Sequence, residues 1–299
     1  MLVLNVGAFA SVEKVVHDSS ISLFMRLLIH KLKRGYRTFR VKRMIRREFR
    51  ELFGLVTYVD SLGEKAVKKI NWNKEQIHFY SVNVLAQNLH KLKSITVLIS
   101  NGYSSDAWQI FRPLIESVLD FDYILRNPQK LDLYFQYSIY LDVERIKRIQ
   151  SVKPLIGDNL VQFEKMKGEW EKHKSLFTHK GKVRRSWRDK PLKDIAQEIK
   201  MGDIYSLGYK NANDYSHGNS NLIQPFVKGK NSKGLMLKAG STFEKREILI
   251  IFPSTLVLMF QMIMRANKFF ELGLNDEVKR LDKAIVKYCS KIGKSGELR

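Results

Sequence analysis

Ser104-Ser-Asp-Ala-Trp-Gln-Ile-Phe-Arg-Pro-Leu-Ile-Glu-Ser-Val-Leu-Asp-Phe-Asp-Tyr-Ile-Leu-Arg126 carries two patterns at once. Trp108, Phe111, Ile115, Val118 and Tyr123 follow the three-and-four spacing of one apolar helix face. Arg112, Glu116 and Asp120 recur every four residues, so charged groups climb a stripe of an otherwise apolar helix. Pro113 lies inside the pattern, where it cannot donate to the carbonyl of Gln109 and its ring kinks the helix beside Arg112. A helix restarting at Pro113 would take Arg112 as its cap, a poor choice, so the stretch predicts one kinked helix with Ser104, Ser105 and Asp106 as candidate caps.

The flanking sequence repeats this helical grammar. Asn73 and Gln76 have the spacing of a capping box ahead of a helix through Ile77, Tyr80, Val84, Lys91, Ile95 and Leu98, ended by Asn101-Gly102. Asn127-Pro128 opens a third helix to about Val152, broken by Pro154 and Gly157. Residues 158–177 predict a fourth, with Leu160, Phe163, Met166, Trp170 and Leu176 as its apolar face, and Leu192, Ile195 and Ile199 mark a short fifth. Residues 219–241 read as a loop with a short hairpin at 229–234. The most apolar window, 248–264, contains Pro253 and Gln261 and is read as a strand-like or loop entry into a buried helix over 253–272, with a membrane span as the minor alternative. A last helix covers 276–292. The expected fold is an all-α multi-helix bundle of roughly six to eight helices, with residues 1–55 as a basic amphipathic arm, 56–292 as the bundle and 293–299 as a tail.

The chain has 299 residues, 44% of them hydrophobic, enough to bury a substantial core. Its net charge of +23 attracts nucleic acid, anionic lipid or acidic protein. Residues 1–50 hold twelve Lys and Arg against Glu13, Asp18 and Glu48. Within them, Phe24, Leu28, Leu32, Val41, Ile45 and Phe49 keep helical spacing between basic residues that include Arg43, Arg46 and Arg47. This arm is read either as docking on a phosphate-rich surface, nucleic acid or membrane interface, or as a packed helix with a solvated charged face. The lone Cys289 and the lack of a basic segment ahead of the apolar residues 1–10 fit the cytoplasm, with peripheral membrane contact as an option.

A second polar concentration occupies residues 203–218. On a helix, Tyr209, Asn213 and His217 form one stripe, with Ile204, Gly208, Ala212 and Tyr215 opposite it for packing, and Gly218 closing the helix. Upstream, residues 179–190 form a basic loop in which Trp187 lies among Arg184, Arg185 and Arg188. Such a tryptophan either stacks on a base while the arginines meet phosphates, or pins the loop to its domain.

Together, Gly102 to Glu116 with Asp120, Tyr123 and Ile124, followed by Trp187, Tyr205, Tyr209, Ser216, His217 and Gly218, resemble domain-of-unknown-function family 5677 over about residues 70–270. Such families resemble the HEPN helical domains, many of them ribonucleases of bacterial defence and toxin systems. Their arginine–polar–histidine pattern is matched in spacing by Lys210, Asn211 and His217, with lysine in place of arginine and Arg112 as the alternative guanidinium. The resemblance implies a metal-independent ribonuclease or toxin-type effector without a cofactor, with His217, Arg112 and Glu116 catalytic and Tyr209, Asn213, Lys210 and Asp120 supporting. RNA would be met by Arg184, Arg185, Trp187, Arg188, Arg43, Arg46 and Arg47. The alternative is a non-catalytic binding module recruited by its arm to nucleic acid or an anionic membrane. A homodimer is a further expected assembly, and no metal-ligand cluster is present in the sequence.

Overall fold

The computed structural model describes the backbone of residues 23–216, 227–231, 234–237 and 242–295. His217 and Gly218, both singled out by the sequence, lie outside the described residues, as does the 296–299 part of the expected tail. The chain is an all-α multi-helix bundle. Its described helices are α1 (Leu23–Glu48), α2 (Arg50–Lys69), α3 (Gln76–Ser100), α4 (Ser104–Arg126), α5 (Leu131–Gln150), α6 (Asp158–His173), α7 (Leu192–Glu198), α8 (Lys210–Ser216), α9 (Lys245–Phe270) and α10 (Asn275–Ser295). Two small antiparallel hairpins interrupt them, β1 (Thr178–His179) with β2 (Lys182–Val183), and β3 (Val227–Asn231) with β4 (Gly234–Leu237). The second is the hairpin expected at 229–234.

The helices α3 and α4 form the antiparallel pair at the centre. Asn88 donates to Ser117 Oγ at 2.9 Å, while Lys91 reaches the carbonyl of Pro113 at 3.4 Å, so positions rising on one helix meet positions falling on the other. Their turn is made by Gly102 at φ +79°, with the amide of Tyr103 donating back to Leu98 O, a helix stop that needs a residue tolerant of positive φ. Running parallel to α4, α9 meets it at Ser104–Glu247 and again at Asp122–Arg265.

The apolar window 248–264 departs from its expected form. It lies wholly inside α9, which runs unbroken through Pro253. Losing one backbone hydrogen bond there is offset by burial of Ile248, Ile251, Phe252, Leu256, Met259 and Ile263 around the same turns. By length and composition α9 is able to cross a membrane, but 61% of its most apolar window is buried inside the fold, and it is the helix on which α2, α3, α4 and α10 pack.

The expected caps also differ. The first residue of α3 is Gln76, and no side-chain cap is made there. At the start of α4 the hydroxyls of Ser104 and Ser105 donate instead to Glu247 at 2.8 and 3.1 Å. A carboxylate at this helix N-terminus is favoured by the unpaired amides and the helix dipole. Glu247 also accepts from Tyr215 at 2.9 Å, tying the starts of α4 and α9 to the end of α8. Burial first, and the Glu247 charge second, push the Tyr215 phenol well above its ordinary range. Replacing Glu247 by Ala strands the buried Ser104 hydroxyl and is expected to cost about 2 kcal/mol in urea unfolding.

The third and fourth expected helices are each divided. A short 3-10 turn, Pro128–Lys130, precedes α5, and Lys174–Phe177 continues α6 in the same tighter form. On the latter segment Phe177 is fully buried against Tyr137 and Trp170, while the expected face residues Leu160 and Leu176 are exposed. The change of helical pitch turns the face by a residue at Leu176, whereas Leu160 lies in the first turn of α6, ahead of that change.

Candidate functional site

Charged groups on α4 meet the segment leading into α8. After α7 the chain makes a π-helical turn, Ile204–Tyr209, and continues directly into α8. The wide turn brings both Gly208 and Tyr209 to α4. Gly208 lies over Ile115 and Phe111, where a Cβ would come within 3.2 Å of Ile115, so glycine permits the close approach. Ala212 is buried, and Tyr215 stacks on Trp108 at 5.1 Å, as expected of the packing stripe. Tyr209 faces the same helix, which brings it to the charged stripe of Arg112 and Glu116.

Three side chains converge at this crossing. Tyr209 donates to Glu116 Oε1 at 3.0 Å, and Arg112 Nε lies 3.3 Å from the same oxygen. Arg112 Nη2 donates to Tyr209 Oη at 3.4 Å, and its guanidinium stands 5.5 Å from the ring centre. Tyr205 stacks on the other side of the sequence turn, 5.0 Å from Tyr209. Burial and the Glu116 charge push the Tyr209 phenol up, so at neutral pH it is a proton donor rather than a phenolate. Opposed by burial, Tyr209 and Glu116 nonetheless raise Arg112 further, keeping it cationic. Arg112 and Glu116 keep 26% and 30% side-chain exposure, enough for a solute to reach them.

Beneath them lies a drier layer. Arg188 grips Asp120 with two parallel bonds, Nε to Oδ1 at 2.6 Å and Nη2 to Oδ2 at 2.7 Å, and its Nη2 is 3.9 Å from Glu116 Oε2. Lys91 donates to Asn88 Oδ1 at 2.9 Å, and burial lowers its pKa against the opposing attraction of Glu116. Around the two carboxylates stand three cations, Lys91, Arg112 and Arg188, so the site carries an excess of positive charge. A separate cleft of about 310 Å³ lies around Val118, Asp122, Arg126 and Arg265, away from Arg112 and Glu116.

The loop 184–190 is placed as an anchor. Trp187 is buried against Tyr123 and Tyr134, which removes its face from any base. Arg184 donates to the carbonyls of Arg188 and Leu176, at 3.0 and 2.6 Å, and Arg188 is held by Asp120, so neither extends toward solvent as a phosphate arm. Of this set Arg185 is exposed. Lys210 is exposed at the start of α8, and Asn213 is half-buried one turn further. Arg43, Arg46 and Arg47 are exposed on α1, in a different region of the chain. The sequence reading missed the Arg188–Asp120 clamp and the role of Lys91. A signal for the second was present: Lys91 stands in the apolar repeat Ile77, Tyr80, Val84, Ile95, Leu98, where a charge needs a partner.

No group of three or more His, Cys, Asp or Glu side chains suited to a metal ion occurs among the described residues. The family of unknown function DUF5677 matches residues 78–235, more than half of the chain, and the chain belongs to that family. No curated protein and no solved structure matches it.

Proposed function

We propose that this DUF5677 protein is a HEPN-like ribonuclease or toxin-type effector that cleaves RNA without a metal at the Arg112–Glu116–Tyr209 crossing. The observation that carries the reading is the convergence of Arg112 and Glu116 with Tyr209, which lies 93 residues further along the chain from Glu116. Cleavage by attack of a ribose 2′-oxygen on the neighbouring phosphorus needs a cation for the phosphoryl oxygens, an acceptor for the 2′ proton and a donor for the departing 5′-oxygen. Arg112, backed by the positive layer of Lys91 and Arg188, supplies the first. Glu116 aligns Arg112 and Tyr209, and Tyr209 supplies a protonated donor. With Tyr209 as the donor to the departing 5′-oxygen, His217 is assigned the acceptance of the 2′ proton on the strength of residue type and its place in the sequence.

The test is incubation of the full chain with end-labelled single-stranded RNA in excess chelator, alongside Arg112→Ala, Glu116→Ala and His217→Ala. Cleavage leaving 2′,3′-cyclic phosphate ends is expected, with Arg112→Ala and His217→Ala each slower by at least about 100-fold at unchanged circular dichroism. Wild-type rates in both variants would remove the assignment of the site. RNA binding without any cleavage would leave the crossing a recognition surface.

A further inference from the structure

The outward face of α1 is unaccounted for by this reading. One side of the helix is committed to the bundle: Ile45 and Phe49 are buried, Val41 lies against the turn at Gly102, and Glu48 pairs with Lys245 at 3.0 Å. On the opposite side Leu32 and Phe39 are 60% and 62% exposed. Seven residues apart, they share one face, and the same face continues through Arg43 to Arg47, with Arg50 following at the start of α2, all exposed. Lys31, Arg40 and Arg46 are exposed on its flanks. From residue 31 to residue 50 the sole carboxylate in the sequence is Glu48, already directed to Lys245.

We propose that this face of α1 docks on the surface of an anionic phospholipid bilayer, with Leu32 and Phe39 entering the acyl boundary and the arginines meeting lipid phosphates. A large aliphatic side chain held bare on a regular helix gains by leaving water for hydrocarbon and gains nothing against a phosphodiester backbone. Phe39 has a ring face for a base, but Leu32 has none, which favours lipid over RNA as the partner. The basic half supplies attraction to negative headgroups, and it falls off within a Debye length. The helix is thereby suited to lie along the interface, apolar end inserted and arginine end at the phosphates.

Co-sedimentation of the full chain with phosphatidylcholine vesicles, with and without phosphatidylserine, tests this. Binding is expected on the anionic vesicles alone and is expected to weaken as salt rises. A Leu32→Asp, Phe39→Asp double variant should bind at least about tenfold more weakly while cleaving free RNA at the wild-type rate. Arg43→Glu with Arg47→Glu should also release it. Equal sedimentation of the wild type and the double variant overturns the proposal, as does equal binding to neutral vesicles. Loss of RNA binding in the Leu32, Phe39 variant, with vesicle binding kept, assigns the face to nucleic acid instead. Because free-RNA cleavage and vesicle binding are read separately, failure of one leaves the other standing.

Discussion

Asp120→Ala is expected to lower the stability of the chain by about 3–5 kcal/mol, read as a fall in the urea midpoint at unchanged slope. The reason is the partner it leaves behind. Arg188 is held on Asp120 by two short bonds, with side-chain exposures of 14% and 12%, in a layer where water is scarce. Removing the carboxylate leaves a guanidinium that burial disfavours and that Glu116, 3.9 Å away, meets only in part. The loop would loosen with it, because Arg188 also accepts the Arg184 side chain at its carbonyl, and Trp187 is buried next to it. The double variant Asp120→Leu, Arg188→Met is expected to recover most of the loss, since removing both charges leaves neither unpaired. Wild-type stability in Asp120→Ala would show that water or another group compensates Arg188.

Gly102→Ala is the second large effect. Its φ of +79° disfavours any L side chain by about 1–2 kcal/mol. An added Cβ would also lie 2.6 Å from Val41 Cγ1 and 2.7 Å from the carbonyl oxygen of Thr242. Backbone cannot step aside as a side-chain tip does, so overpacking adds about 1–3 kcal/mol. The carbonyl of Gly102 itself accepts the amide of Thr242 at 2.9 Å, so the substitution disturbs the α3–α4 turn, the seating of α1 and the approach to α9 together. Gly63 provides the control. A Cβ there meets terminal atoms of Leu89, which can rotate, and its φ is ordinary for a helix, so Gly63→Ala is expected to be milder in thermal unfolding. Equal losses in the two variants would mean that the strain at Gly102 is relieved elsewhere.

Much of the site was legible before any coordinates. Arg112, Glu116 and Asp120 at intervals of four must share a helix face, and four-residue spacing alone justified treating them as a group. Tyr209 was singled out as the other half, and it does meet Arg112 and Glu116. The π-helical turn that seats both Gly208 and Tyr209 against one helix carries no strong mark in the local sequence. Asp120 was grouped with Arg112 and Glu116, yet it belongs to Arg188, whose arrival depends on how α5, α6 and the β1–β2 hairpin fold back. The basic loop looked like a nucleic-acid surface because charge and an aromatic ring adjoin in sequence, and burial of Trp187 is a fact of packing rather than composition.

Periodicity by itself determined the fold class, because an apolar face every three to four residues is satisfied only by helices packing on one another. It also determined which charged residues share a helix. The family resemblance, carried by residue order and spacing, is matched by the family model over residues 78–235. Tertiary structure alone decided the partners: Glu247 rather than a local cap for Ser104 and Ser105, Asp120 for Arg188, and the bundle for α9 despite Pro253 and its membrane-like apolarity. The physical reason is range. Backbone propensity and side-chain periodicity act within a few residues, whereas the desolvation of a charge or an apolar face is decided by whichever distant segment arrives to cover it.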